Sequence, residues 1–359
     1  MQPLAGIKII DFSTRLPGPL ATLILAEAGA DVVKIEPPGG EELRAARKPW
    51  LEGEAAFALL NRGKRSIFVN LKDTLERDRI MQMCAAADVL VEQFRPGVMD
   101  RLGLGYADVT KRNPRIVYCA LTGYGQDGPA AQKPGHDLTY LAEAGILSLL
   151  TAADGTPIVP GTLIADIAGG AYPAALNIMF ALFARERTGQ GAYLDVAMAD
   201  NLYPFAAWAL ANGFVAGRWP KPGQELYTGG SPRYNIYKTA DERFVAVAAL
   251  EQKFWTTFCQ AIGFEWSAYD ETNPDTRGAI ARCIAAHDSA YWRKRFATVD
   301  ACAVVVNTLE EALADEQVLA RGLFSQSVNW GGGSAPALPV PVVEAFRGER
   351  AGAPPVALT

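Results

Sequence analysis

Five short apolar runs dominate the first third of the chain, at residues 6–12, 30–36, 66–71, 88–93 and 115–122. Each has the length of a strand, and most are apolar without alternation. Strands of that kind are covered on both faces, as in a parallel sheet. Residues 19–28 and 74–86, between the runs, carry helical patterns. The opening order, strand then helix then strand, with Pro37-Pro38 stopping the second strand, predicts an α/β fold of doubly wound, Rossmann-like architecture.

A sheet of this size does not use up 359 residues. We expect a large α/β domain over residues 1–200, rejoined by a C-terminal segment at 325–359. Residues 201–224, containing Trp219-Pro220-Lys221-Pro222-Gly223, are expected to be a linker. A smaller α+β domain is expected over residues 225–310. It would hold a hairpin of residues 233–239 and 243–249 turning at Asp241-Glu242, then helices near 252–262, 275–286 and 289–297. The Gly- and Pro-rich tail from Trp330 is expected to run over the surface.

Half the residues are hydrophobic and a fifth are charged, which is globular composition. A net charge of −5 argues against general nucleic-acid binding. The five cysteines form no CxxC pair, so neither structural zinc nor a disulfide framework is expected. The first residues lack the basic and apolar regions of a secretion signal, and Ala357-Leu358-Thr359 is not a peroxisomal address. A cytoplasmic location is the expectation. Residues 164–183 carry one charge, Asp166, and are long enough to cross a bilayer. Gly169, Gly170, Pro173 and Asn177 interrupt them, so they are read as a buried helix of a soluble protein, without membrane contact.

The loop after the first strand argues against a dinucleotide. It reads Ser13-Thr14-Arg15-Leu16-Pro17-Gly18-Pro19, without the glycines that let backbone approach a pyrophosphate. Glu36 ends the second strand where an acid would hold a ribose, yet NAD is not expected. Residues 44–72 hold Arg44, Arg47, Lys48, Arg62, Lys64, Arg65 and Lys72 against Glu52 and Glu54. This excess suits a phosphate or is simply a solvated face. Gln93-Phe94-Arg95-Pro96-Gly97 stands at the C-terminal end of a strand, where open α/β sheets bind ligands. There an aromatic ring beside an arginine could hold a purine and a phosphate.

Of the two histidines, His287 lies between helical segments and is read as a surface or capping residue. His136, in Pro134-Gly135-His136-Asp137-Leu138-Thr139-Tyr140, opens a helix, where a neutral imidazole is favoured and can act as a base. Asp137 is a candidate cap there. Asp166 opens the long apolar stretch. Burial would raise its pKa and the helix terminus would lower it, a balance suited to acid–base or nucleophilic work. Gly169 and Gly170 would then let a ligand come close. Glu251 follows the strand at 243–249 and could cap the next helix or orient a histidine.

Several of these motifs together resemble the class III CoA-transferase and α-methylacyl-CoA racemase superfamily, over nearly the whole chain. They are the opening residues 4–12, Pro17-Gly18-Pro19, residues 29–36, residues 61–67, residues 93–97, Thr122-Gly123-Tyr124-Gly125 and residues 185–191. The resemblance is closest to the racemase branch. It implies an interlocked homodimer, in which the small domain of one chain meets the large domain of the other. It also implies an acyl-CoA substrate and no metal or NAD. On its terms Asp166 and His136 face opposite sides of the substrate α-carbon, with Glu251 orienting the histidine and Asp137 assisting. It assigns CoA and pocket contacts to Val69, Leu71, Lys72, Gln93, Phe94, Arg95, Arg101, Leu102, Tyr124 and Tyr234. In the transferase branch the residue matching Asp166 is a nucleophile that forms an acyl-aspartyl intermediate, and this is the alternative. Thr162 replaces an active-site asparagine common in racemases. Pro37 stands where some transferases place an arginine, and Thr122 where the oxalate-specific branch has a lysine. The expected activity is racemisation of a 2-methyl-branched acyl-CoA through an enolate.

Overall fold

The computed structural model describes residues 1–49, 51–152, 154–266, 274–347 and 357–358. They form two compact units. The first comprises residues 1–144, 161–205 and 320–359, and the second residues 145–160 and 206–319.

The first unit is built on a parallel sheet. Its strands are β1 (Lys8–Asp11), β2 (Asp31–Glu36), β3 (Arg65–Phe68), β4 (Val89–Glu92), β5 (Val117–Thr122) and β6 (Ala192–Ala197). They lie in the order β3-β2-β1-β4-β5-β6, and Ala357–Leu358 pairs in parallel outside β3. That order reverses between β1 and β4, and in such sheets the ligand crevice opens at the reversal. The β5 strand is buried at every residue, as continuous apolar strands require. Sequence reasoning misses β6, an edge strand whose run is broken by Asp195.

Two helices pack against this sheet. Helix α1 (Pro17–Glu27) starts with proline in its first turn, where the missing N–H costs no hydrogen bond, and ten of its eleven residues are buried. Helix α2 (Thr74–Ala85) begins at Asp73, whose carboxylate accepts from the N–H groups of Leu75 and Glu76 at 2.8 and 3.2 Å. Its Ile80 and Cys84 join a core of Ile10, Val33, Ile35, Leu90 and Tyr118 from the sheet. Burying each large side chain there contributes ~1.5–3 kcal/mol.

The apolar stretch after Ala165 forms one continuous helical rod. It opens with wide π-helical turns over Ala165–Ala171 and continues as α3 (Tyr172–Thr188). The expectation of a wholly buried helix needs correction. Ala174, Ala175, Ile178, Ala181 and Leu182 are buried, whereas Tyr172, Leu176, Met179, Phe180 and Phe183 form an exposed face. Three alanines, Ile178 and Leu182 pack inward, while the aromatic residues, Leu176 and Met179 point out. By length and composition this rod could also cross a membrane.

In the second unit, strands β7 (Tyr234–Lys238), β8 (Phe244–Ala248) and β9 (Ala303–Val305) form an antiparallel sheet with β8 in the centre. Helices α4 (Gln252–Ile262), α5 (Pro274–Ala285) and α6 (Ser289–Phe296) accompany it. Trp255, Phe258, Cys259 and Ile262 form one face of α4 and share a core with Val245, Val247 and Trp292. The stretch expected as a linker is helical over Asp200–Ala206 and Ala207–Ala216. The tail expected to run over the surface pairs Ser327–Trp330 with Gly333–Pro336 in a hairpin that packs Val328 and Ala337 on Ala58.

Candidate active site

His136 and Asp166 are thirty positions apart in sequence, and the fold ties their neighbourhoods together. His136 is the exposed N-cap of the short helix Asp137–Glu143. Its N–H donates to Thr139 Oγ1 at 3.0 Å, and its carbonyl accepts the Thr139 N–H at 2.8 Å. The next residue, Asp137, turns inward and is 6% exposed. Its Oδ1 accepts the backbone N–H of Asp166 at 2.9 Å. Asp137 thus caps the π-helical turns that carry Asp166, a helix other than the one it starts. The wide turns are closed further along by Asn201, whose Nδ2 donates to Gly169 O at 2.9 Å. Such turns often mark functional positions in helices.

The two acids differ in their partners. Burial pushes the Asp137 carboxyl above the usual range, against the backbone N–H groups of Asp166, Ala165 and Ile164 that pull it down. Asp166 is half-buried, and no donor among the described residues meets its carboxylate. Burial first, and then the adjacent Asp137 charge, push it up to about 6. A carboxyl at that value is half-ionised near pH 6, about one unit below neutrality, which suits a proton-transfer group. Asp166 is the second residue of the π-helical turns, two positions past their N-cap Ile164, so it is not itself the cap. The expected role of the glycines also changes. A Cβ on Gly169 would stand 2.5 Å from Met198 O, and one on Gly170 3.1 Å from Pro17 Cβ. They therefore admit close packing rather than a ligand.

The crevice wall nearby is made by loops after β1, β4 and β5. Gln93 Oε1 accepts the Gly18 N–H at 3.1 Å, holding the start of α1 to the end of β4. Buried Glu92, pushed up to about 7 by burial, accepts the Phe94 N–H at 2.8 Å. Phe94, Leu71 and Leu102 lie half-buried against the core of the sheet, and Val69 is buried in it. Thr122 Oγ1 accepts the Gly125 N–H at 2.9 Å and so shapes the turn that bears Tyr124. Lys72, Arg95 and Arg101 are exposed and form no ion pair among the described residues.

Most of the basic excess over residues 44–72 is neutralised from within. Arg44 forms two bonds of 2.7 Å to Glu36, Arg62 pairs with Glu27, Lys64 with Asp11 and Arg65 with Asp31. The acids come from β1, β2 and the α1 segment, outside the window in which the charge was counted. Lys64 and Lys34 are fully buried. Lys64 Nζ donates to Pro19 O at 2.9 Å and Lys34 Nζ to Ser13 O at 2.6 Å. Both therefore pin the β1–α1 loop, whose Arg15 sits at φ 64°. Glu36 is saturated by Arg44, Ser66 and the Glu41 N–H.

One residue that sequence reasoning missed belongs to this group. Tyr140 is 7% exposed, and its Oη donates to Gly135 O at 2.8 Å. Its ring fills the space a Cβ would take on both Gly123 and Gly135, with contacts of 2.4 Å in each case. It meets the Tyr124 ring edge-on at 5.2 Å. The available signal was a tyrosine four residues after the histidine, with unbranched glycines in two nearby loops.

Glu251 and Tyr234 belong to the second unit. Glu251 precedes α4, but its side chain makes no cap bond and its carboxylate is exposed. Tyr234 opens β7 and packs edge-on against Tyr227 at 5.2 Å. His287 stacks on Tyr291 at 3.8 Å. A cavity of about 810 Å³ lies in the first unit among Glu27, Arg62, Arg321 and residues 337–344, and none of the candidate site residues lines it.

The chain matches the family model described as CoA-transferase family III over residues 4–356. It is 34% identical over 330 residues to the human alpha-methylacyl-CoA racemase, covering 90% of this chain and 83% of that protein. It is 35% identical over 302 residues to the acetyl-CoA:oxalate CoA-transferase of Acetobacter aceti, covering 81% and 77%. Among solved structures, a CAIB/BAIF family protein from Brucella suis aligns with a TM-score of 0.84 at 28% identity, covering 99% of this chain and 96% of that one. The chain belongs to CoA-transferase family III.

Proposed function

We propose that this member of CoA-transferase family III is an acyl-CoA racemase that inverts the α-carbon of a 2-methyl-branched acyl-CoA. The observation that carries the reading is the Asp137–Asp166 bond of 2.9 Å. It ties the backbone of Asp166, whose carboxylate meets no donor among the described residues, to the residue next to a histidine. An α-proton beside a thioester is weakly acidic, so its removal needs a well-placed base. Asp166 or His136 takes the proton, leaving an enolate. The other group, in its protonated form, returns a proton to the opposite face. No atom is gained or lost, and the two groups exchange protonation states. Glu251 is proposed to orient His136.

Lys72, Arg95 and Arg101 are the proposed contacts to the CoA phosphates, because they carry charge that no acid among the described residues pairs with. Phe94, Leu71, Leu102 and Tyr124, with Gln93 and the backbone at Val69, would line the rest of the CoA site, and Tyr234 the acyl pocket. Two copies of the chain are proposed to form an interlocked dimer. The apolar face Tyr172, Leu176, Phe180 and Phe183 supports it, since large exposed apolar patches mark association surfaces.

The second reading, a CoA transferase with Asp166 as nucleophile, is favoured by the absence of any donor to that carboxylate among the described residues. Incubation with an acyl-CoA in deuterated water separates the two. Incorporation of deuterium at the α-carbon without an acceptor acid is the result expected. Turnover that strictly requires a carboxylate acceptor, with an acyl ester trapped by hydroxylamine at Asp166, would overturn the proposal.

A further inference from the structure

We propose that Tyr140 is a positioning residue that locks the His136 segment to the Gly123–Tyr124 turn and thereby sets His136 for proton transfer. This rests on the racemase reading above. Three observations carry it. The phenol donates to Gly135 O at 2.8 Å, one peptide before His136. The ring lies where a side chain on either Gly123 or Gly135 would collide with it, so both loops are shaped around it. Its edge rests on Tyr124 at 5.2 Å, so the turn after β5 and the His136 loop share one rigid spacer.

The geometry makes the two sides of the site unequal. Asp166 is held through its own backbone by Asp137 and through Gly169 by Asn201. The His136 backbone is held by Thr139 within its own turn and, one residue earlier, by Tyr140. Burial and the Asp166 charge keep the Tyr140 phenol protonated, pushing it up to about 12, so it remains a donor across the working pH range. Loss of the hydroxyl should therefore loosen the histidine side and leave the aspartate side in place.

The test is Tyr140→Phe, which keeps the ring and removes the donor. The α-proton exchange of each enantiomer is followed separately in deuterated water. Exchange initiated by His136 should fall about five- to tenfold in kcat, the scale of one hydrogen bond, with KM unchanged and Asp166-initiated exchange preserved. Gly135→Ala, which drives a methyl into the ring, should depress the same enantiomer. Equal loss for both enantiomers would show a merely structural role and overturn the proposal, as would no loss at all. Amide hydrogen exchange over residues 133–140 reads the lock independently of the chemistry and should speed up in Tyr140→Phe. If the wild type exchanges no α-proton, the racemase reading fails, and unchanged amide exchange would then sink the lock as well.

Discussion

Asp166 shows how one side chain's environment can work against the fold. Its carboxyl binds a proton more tightly in the folded chain, near 6, than at the ordinary value of 3.8. A raised carboxyl makes no demand while protonated in both states, and it costs stability once the folded form must ionise. The cost is therefore absent below about pH 4 and complete above about pH 6. Asp166→Asn should raise Tm above pH 6 and match the wild type near pH 4. Melting curves across pH 4–8 check this, and a pH-independent difference would show that the carboxylate is not strained. Asp137 was legible in the sequence as a cap, but not as a cap for a distant helix, because that bond depends on packing across 29 positions. Tyr140 went unread for the same reason: its significance lies in two glycines that it touches only after folding.

At the scale of elements, Arg185 explains why part of the Arg185–Gly191 motif is structural. It is 4% exposed, and it donates to Asp88 Oδ1 at 2.9 Å, to Asp88 O at 3.3 Å and to Arg115 O at 3.2 Å. The end of α3 is thus bolted to the segments that lead into β4 and β5. Arg185→Met should cost about 2–4 kcal/mol, since it removes the cation paired with Asp88 and a donor shared by two backbone carbonyls. Urea denaturation measures this, and a shift under 1 kcal/mol would mean that water replaces the guanidinium at little cost. The first five strands were legible because buried parallel strands are continuous apolar runs. The edge strand β6 was not, since Asp195 interrupts it. The π-helical opening of the Asp166 rod also left no trace, because a wide turn uses the same residues as a narrow one. The basic cluster misled for a different reason, since charge counted along a window ignores acids that folding brings to it.

At the scale of the whole molecule, the exposed face of α3 makes the assembly testable. Phe180 and Phe183 are 61% and 67% exposed in the single chain. If two copies bury them, Phe180→Glu with Phe183→Glu should convert a dimer to monomers in light scattering. A double variant with the size of the wild type would remove this face from the interface. The way each unit is assembled also bears on synthesis. The first unit gathers residues 1–144, 161–205 and 320–359, and the second interrupts it twice. A ribosome delivers the crevice loops, His136 and Asp166 long before residues 320–359. Until those arrive, the Val328 and Ala337 hairpin cannot cover Ala58, and β3 keeps an open edge toward Ala357–Leu358. Nascent chains with an unpaired strand edge are prone to stick to one another. The geometry of the candidate site would thus be drafted early in translation and sealed late, an interval in which a chaperone has reason to hold the chain.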